Sequence, residues 1–299
     1  MRKPDFFIVG APKCGTTALY EWLREHPEIF VPERKEIHYF GTDLYSPSYL
    51  RDTDKYLDLF AEAHREQRIG EASVWYLFSQ VASREIKSFS PDAQIIIMLR
   101  NPVDMIYSLH SQRLYLGSEN VDDFEVALNL ENERKNGSHL PANPYPVAGL
   151  QYREVGRYAD QVKRYLDTFS GARVKVIIYD DFKTDPARVC AETFDFLGVS
   201  PIFEPKIRVI NPNKRVRSKA IRAVLDAPPP PLIRKLVRPL TSPAMRHRLF
   251  ATLRSLNTEY LPRPPLRAEL RQQLQADFAP DVERLSQLLD RDLTGWCRM

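Results

Sequence analysis

The chain has 299 residues, 43% of them hydrophobic and 27% charged, with a formal net charge of +4. That composition excludes wholesale disorder. The length suits one large α/β domain with appendages that buries roughly 75% of its unfolded-chain surface. No apolar run approaches the ~18 residues of a transmembrane helix, and the apolar stretch in MRKPDFFIVGAP is too short for a signal peptide.

The charge is unevenly placed. Between Lys206 and Arg254 stand thirteen Lys and Arg and one acid, Asp226, a local +12, which leaves −8 for the rest. Such a segment meets polyanions, phosphates or anionic membranes, or forms a solvated face of long side chains. The three cysteines, Cys14, Cys190 and Cys297, include no CxxC pair. This excludes a disulfide scaffold or thiolate zinc cluster and fits a reducing, cytoplasmic setting. The six histidines show no ligand spacing, so no metal is expected.

In chain order, residues 5–10 (DFFIVG) form a short apolar run ending at glycine, a buried strand. Thr16 to His26 follows as a helix with Leu19, Trp22 and Leu23 on one face, stopped by Pro27. Tyr49 to His64 reads as another amphipathic helix, Gln67 to Ser73 as a strand, and Val81 to Phe89 as a helix. Ala93 to Leu99 is the strongest buried strand. Asn101-Pro102 then opens a helix to about Leu116, because Asn suits the cap and Pro the first helical position. Residues 118–148 read as helix plus loop, Gln151 to Thr168 as one long helix, and Val174 to Tyr179 as a strand. Asp185-Pro186 begins a helix ending near Gly198. Alternating strands and helices predict an α/β fold, a P-loop-like three-layer arrangement around a parallel sheet. After Pro201 come the basic segment, the stiff run Pro228–Pro231 and a helical tail from Leu266 to about Leu289. We expect a single domain over 1–299, with a core at 5–200 and a cofactor-closing, mostly helical region at 201–299.

The first strand feeds Gly10-Ala11-Pro12-Lys13-Cys14-Gly15-Thr16-Thr17, and a helix follows directly. A strand, a Gly-containing turn and a helix N-terminus make an anion cradle. The glycine spacing matches the P-loop, but Thr16 occupies the lysine position and the lysine sits inside the loop at Lys13. The alternative is a tight turn with a solvated lysine. The strand ending at Leu99 delivers Arg100, where a magnesium-dependent P-loop enzyme would place a metal-organising Asp. Arginine there offers a cationic fork for phosphate, and Ser108 on the next helix is placed to meet the same group.

PKCGTTAL with LRNPVDMIYS resembles the sulfotransferase superfamily that uses 3'-phosphoadenosine-5'-phosphosulfate (PAPS). The resemblance implies that Lys13, Cys14, Gly15, Thr16 and Thr17 bind the 5'-phosphosulfate and that Arg100 and Ser108 bind the 3'-phosphate. The order of elements follows the family over 5–200, and LLDRDLTGW is similar to bacterial members. KEIHYF at 35–40 is similar to the Golgi heparan sulfate branch rather than the cytosolic phenol and steroid branch. By that resemblance Glu36 is the general base, with His38 supporting it and Lys13 stabilising the bridging oxygen. Alternation in an extended piece would put Glu36 and His38 on one side, and His38 is a rival base because imidazole titrates near neutrality. A basic loop closes over the 3'-phosphate in this family; the stretch Asn213 to Lys219 is the candidate here, with Arg215, Arg217 and Ser218 as the expected contacts. One departure stands out: the heparan branch reads E-K-[ST]-P-x-Y, whereas this chain reads Glu71-Ala72-Ser73-Val74-Trp75-Tyr76. The lysine contact is missing or comes from elsewhere.

The expected reaction is sulfuryl transfer from PAPS to a hydroxyl, of a saccharide or glycolipid or, alternatively, of a small natural product or lipid, with 3',5'-diphosphoadenosine as product and no metal. A P-loop kinase and a non-catalytic polyanion-binding module are the rivals. Nucleic acid is not expected as a partner. The Arg-rich apolar stretch at 232–254 reads as a peripheral membrane contact, a lid or a packed helix.

Overall fold

The computed structural model describes residues 2–63, 67–203, 213–218, 245, 252–253 and 255–298. Its centre is a parallel sheet of β1 (Phe6–Gly10), β2 (Ile29–Phe30), β3 (Arg68–Ala72), β4 (Gln94–Leu99) and β5 (Val174–Ile178), in the order β2-β3-β1-β4-β5. Strand β1 lies in the middle and is buried along its whole length. Its Ile8 faces Ala72 of β3 on one side and Ile96 of β4 on the other. Because every strand runs the same way, the C-terminal ends share one edge, where open α/β sheets bind ligands. Both phosphate-type motifs leave the sheet there, from β1 and β4.

The flanking helices are α1 (Thr16–Glu25), α2 (Thr53–Asp58), α3 (Ala82–Phe89), α4 (Pro102–Leu116), α5 (Phe124–Asn129), α6 (Glu131–Lys135), α7 (Tyr152–Gly156), α8 (Ala159–Thr168), α9 (Tyr179–Thr184), α10 (Pro186–Leu197) and α11 (Ala268–Leu288). The helix expected after Asn101 is present with its predicted ends. Asn101 Oδ1 accepts from the Val103 N–H at 3.0 Å, Pro102 occupies the first turn, and Gly117 closes the helix with φ +74°.

Two expected helices come out differently. The one predicted over 49–64 is reduced to α2. At its start Leu50 N–H bonds to Ile37 O (3.1 Å), which draws the chain toward the KEIHYF stretch. At its end short-range bonds such as Phe60 N–H to Leu57 O (3.0 Å) replace the helical ladder. His64 lies outside the described residues. The long helix predicted over 151–168 is two helices, α7 and α8, broken at Arg157, which is extended. Asp281 of α11 takes the N–H groups of Tyr158 (2.7 Å) and Ala159 (3.2 Å) and so caps α8 from 123 and 122 residues away.

In the C-terminal third, β6 (Lys214–Val216) pairs antiparallel with β7 (Thr258–Tyr260), a small sheet that fading strand signals after Pro201 did not announce. Most of 206–254, including nearly all of the stretch at 232–254, lies outside the described residues. No helix among the described residues is long and apolar enough to cross a membrane.

Candidate active site

A cavity of about 410 Å3 opens at the C-terminal edge of the sheet. Its walls come from the loop after β1, the turn holding Glu36, Val74 and Trp75 after β3, Arg100, the middle and end of α4, Ser118, Tyr145, Tyr179 at the start of α9, and Asn213, Lys214 and Arg263 in the C-terminal third.

The loop after β1 cannot carry a side chain at its hinge. Gly10 has φ +151°, and a Cβ there would meet Leu77 Cβ at 2.7 Å and Val74 O at 2.8 Å. Leu77 N–H bonds to Val9 O (2.7 Å), so the loop and residues 74–77 are locked together. Gly15, with φ +92°, sets the start of α1, which no side chain caps. Lys13, Gly15, Thr16 and Thr17 all line the cavity. Cys14 does not: it is fully buried, with its Sγ 3.4 Å from Pro12 O, and burial pushes its thiol up to about 12.

Arg100 and Ser108 line the same cavity. The Arg100 guanidinium lies 4.8 Å over the Tyr179 ring. Ser108 accepts from Nη2 of Arg263 at 2.9 Å, and Arg263 in turn lies 5.2 Å over Tyr107. Lys214 and Asn213 complete this end. Asn213 is held by Ser111 Oγ, which donates to its Oδ1 at 2.9 Å, and by its own bond to Leu261 O at 2.9 Å. Lys13, Arg100, Lys214 and Arg263 therefore surround one cavity. Burial, reinforced by Arg263 and Arg100, pulls the Lys13 ammonium down to about 8. A cavity that destabilises its own cation is built for an anion.

Glu36 also lines this cavity and is about one-third exposed at its side chain. Its N–H bonds to Ala72 O (3.0 Å), and its Oε2 accepts from Val74 N–H at 3.1 Å. Lys35 pairs with its Oε1. Burial raises this carboxyl, but the Lys35 charge and the neighbouring His38 outweigh it and hold Glu36 at about 2. His38 Nε2 is 3.0 Å from Glu36 Oε2. The two side chains meet as expected but not by strand alternation: both residues have left-handed backbone, φ +60° and +53°. His38 is 1% exposed, does not line the cavity, and burial lowers its pKa, so it stays neutral behind Glu36. The ammonium on Glu36 comes from Lys35, while Ala72, where the heparan branch has lysine, is buried.

Among the described residues no group of three or more His, Cys, Asp or Glu side chains is arranged to hold a metal ion.

A family model for the sulfotransferase domain matches residues 3–211. The chain belongs to the sulfotransferase family. It is 28% identical over 298 residues to mouse carbohydrate sulfotransferase 15, covering 80% of this chain and 52% of that one. It is 31% identical over 209 residues to the human bifunctional heparan sulfate N-deacetylase/N-sulfotransferase 3, covering 67% and 23%. The chain thus spans about half the length, or less, of these relatives. A crystal structure of a sulfotransferase from Alicyclobacillus acidocaldarius superposes over 100% of both chains with a TM-score of 0.74 and 33% identity.

In this sulfotransferase the expected basic stretch does reach the cavity, through its first two residues rather than through the expected contacts. Arg215 and Arg217 are exposed and, with Ser218, stand outside the cavity lining; Asn213 and Lys214 line it instead. Asn257 fixes Ser218 by accepting its N–H at 3.0 Å. Arg263 was missed because it lies beyond the segment of charge excess. Its one sequence signal is a cation between prolines, Pro262-Arg263-Pro264, directly after β7. Trp75, Gln112 and Arg113 of the lining were also unforeseen, and Tyr145 lines the cavity with them. Arg113 donates to Tyr145 O (2.5 Å) and Pro146 O (3.0 Å), which pins the 145–146 loop to α4.

Proposed function

We propose that the chain transfers a sulfuryl group from PAPS to an acceptor hydroxyl, with Glu36 as general base and no metal. The observation that carries the reading is that one cavity is lined by Lys13, Thr16, Thr17, Arg100, Ser108, Lys214 and Arg263 and also by Glu36. Four cations suit a donor with phosphates at two positions. The donor supplies an already activated sulfuryl group, so the protein needs to position the acceptor, remove its proton and balance charge on the leaving phosphate. Lys13 and the start of α1 face that phosphate. Arg100, Ser108 and Arg263 take the second phosphate, and Glu36 takes the hydroxyl proton as the oxygen–sulfur bond forms. Glu36 reaches the cavity and His38 does not, which favours the carboxylate over the imidazole as base.

A saccharide or glycolipid acceptor is supported by the named activities of the carbohydrate and heparan sulfate relatives. The aromatic wall of Trp75 and Tyr145 beside Glu36 fits the apolar face of a sugar ring.

Calorimetry with 3',5'-diphosphoadenosine in chelator-treated buffer tests the donor site, and micromolar binding is expected. Sulfur-labelled PAPS with a saccharide and small-molecule panel tests transfer. Absence of nucleotide binding overturns the reading. Glu36→Gln is expected to bind nucleotide normally and turn over at least about 100-fold more slowly; wild-type turnover removes Glu36 from the mechanism.

A further inference from the structure

Behind the cavity, out of reach of solvent, stands a carboxylate that the reaction above does not use. Glu71, in β3, is 0% exposed. Three hydroxyls donate to it: Tyr56 to Oε2 at 2.5 Å, and Tyr76 at 2.5 Å and Ser73 at 2.7 Å to Oε1. Burial raises its pKa, and those three hydrogen bonds oppose the rise.

Two of those hydroxyls are also acceptors, and both accept from the turn that carries the base. His38 N–H donates to Ser73 Oγ at 2.9 Å, and Phe40 N–H donates to Tyr76 OH at 3.2 Å. A hydroxyl has one proton to give. Because Glu71 takes the proton of Ser73 and of Tyr76, the lone pairs of both are left for the two backbone donors. An acceptor-only group at 71 therefore sets the polarity of two relays into residues 36–40. The same turn has left-handed backbone at Glu36 and His38, a conformation that non-glycine residues hold only when their surroundings enforce it. The bonds of Glu36 to Ala72 O and Val74 N–H complete the attachment to the end of β3.

We propose that Glu71 is a positioning residue for the reaction: through Ser73 and Tyr76 it fixes the 36–40 turn in the conformation that presents Glu36 to the acceptor. This rests on the reading of Glu36 as base. The polarity of the relay makes a specific demand. Glu71→Gln keeps the shape but places an NH2 donor where an oxygen accepted. Either hydroxyl facing that NH2 must turn its lone pair toward it, and the backbone N–H it had served loses its acceptor.

The expected result for Glu71→Gln is a fall in kcat of about 10- to 100-fold, as for a base displaced by about 1 Å, with the Kd for 3',5'-diphosphoadenosine unchanged. Ser73→Ala, which cuts one relay, is expected to lose less, and the double variant no more than Glu71→Gln alone. Hydrogen exchange, read by mass spectrometry on the 36–40 segment, reports the turn independently of chemistry and is expected to quicken in Glu71→Gln. Tyr56→Phe removes a donor to the same carboxylate that serves no N–H of the turn, and is expected to lower stability with kcat kept within about twofold. Unchanged exchange at 36–40 with unchanged kcat in Glu71→Gln overturns the proposal, as do fully multiplicative losses in the double variant. Wild-type turnover in Glu36→Gln, with faster exchange still seen in Glu71→Gln, would instead fault the assignment of the base and leave the positioning of the turn standing.

Discussion

Arg263 reaches across 155 residues of chain to donate from Nη2 to Ser108 Oγ at 2.9 Å. The contact joins the segment after β7 to α4, at the end of the cavity that Arg100 also lines. On the proposed function this guanidinium is a phosphate ligand, since it lines the cavity together with Arg100 and Ser108. Arg263→Ala is expected to weaken 3',5'-diphosphoadenosine binding about 10- to 100-fold, read by calorimetry. Arg215→Ala and Arg217→Ala, which are exposed and outside the lining, are expected to change it less than about threefold.

On the proposed function, Lys13 gives the donor site a proton signature. Its ammonium is held down at about 8 by burial and by Arg263 and Arg100. An anion brought beside it restores the charged form, so nucleotide binding near pH 8 takes up protons. Calorimetry in buffers of different ionisation heat is expected to show that uptake. Lys13→Met is expected to abolish it, and Arg263→Ala, by removing a repelling charge, to reduce it.

Lys35 sets the strength of Glu36. Burial alone would raise the carboxyl, yet the paired ammonium holds it at about 2. A carboxylate so held is ionised throughout the neutral range, so the acid limb of kcat/KM lies below the usual carboxylate range. Lys35→Met is expected to move that limb upward. The linkage runs in the matching direction: a depressed pKa contributes stability above the unfolded value of 4.5, and that contribution is lost as pH falls toward 2.

Arg134 and Glu119 form a fully buried ion pair with two bonds, 2.7 and 2.6 Å, and Tyr152 OH donates to the same carboxylate at 2.7 Å. Arg134→Ala leaves that carboxylate buried without its cation. Urea denaturation is expected to show a loss of about 3–5 kcal/mol.

Cys14 sits within the loop yet is shielded from chemistry. With its thiol buried and pushed up to about 12, it is expected to remain unmodified by iodoacetamide at pH 8 in the native protein, and to react once the chain is unfolded in denaturant. Peptide mapping by mass spectrometry checks this.

The sheet, the loop after β1 and the Arg100–Ser108 pair were legible because each signal is local. A buried strand ends, the next residues line the cavity, and a helix begins. Glu36 and His38 were legible as neighbours but not as geometry, since bonds to β3 impose the left-handed backbone that brings them together. The split of 151–168 was hidden because its cap, Asp281, arrives from another helix. Arg263 was hidden for the same kind of reason: its partner is 155 residues away, and the count of charges pointed to a neighbouring stretch.

The bare hinge at Gly10 has a consequence for changing what the enzyme accepts. With no side chain at 10, the loop after β1 rests directly on Val74 and Leu77, and Trp75, between them in sequence, lines the same cavity. The two halves of the cavity are geared together at this point. A replacement at Trp75 is expected to be felt by that loop through Val74 and Leu77, whereas Gln112 and Leu116 line the cavity from α4. On the proposed function, acceptor preference is expected to be more freely redesigned at Gln112 and Leu116 than at Trp75.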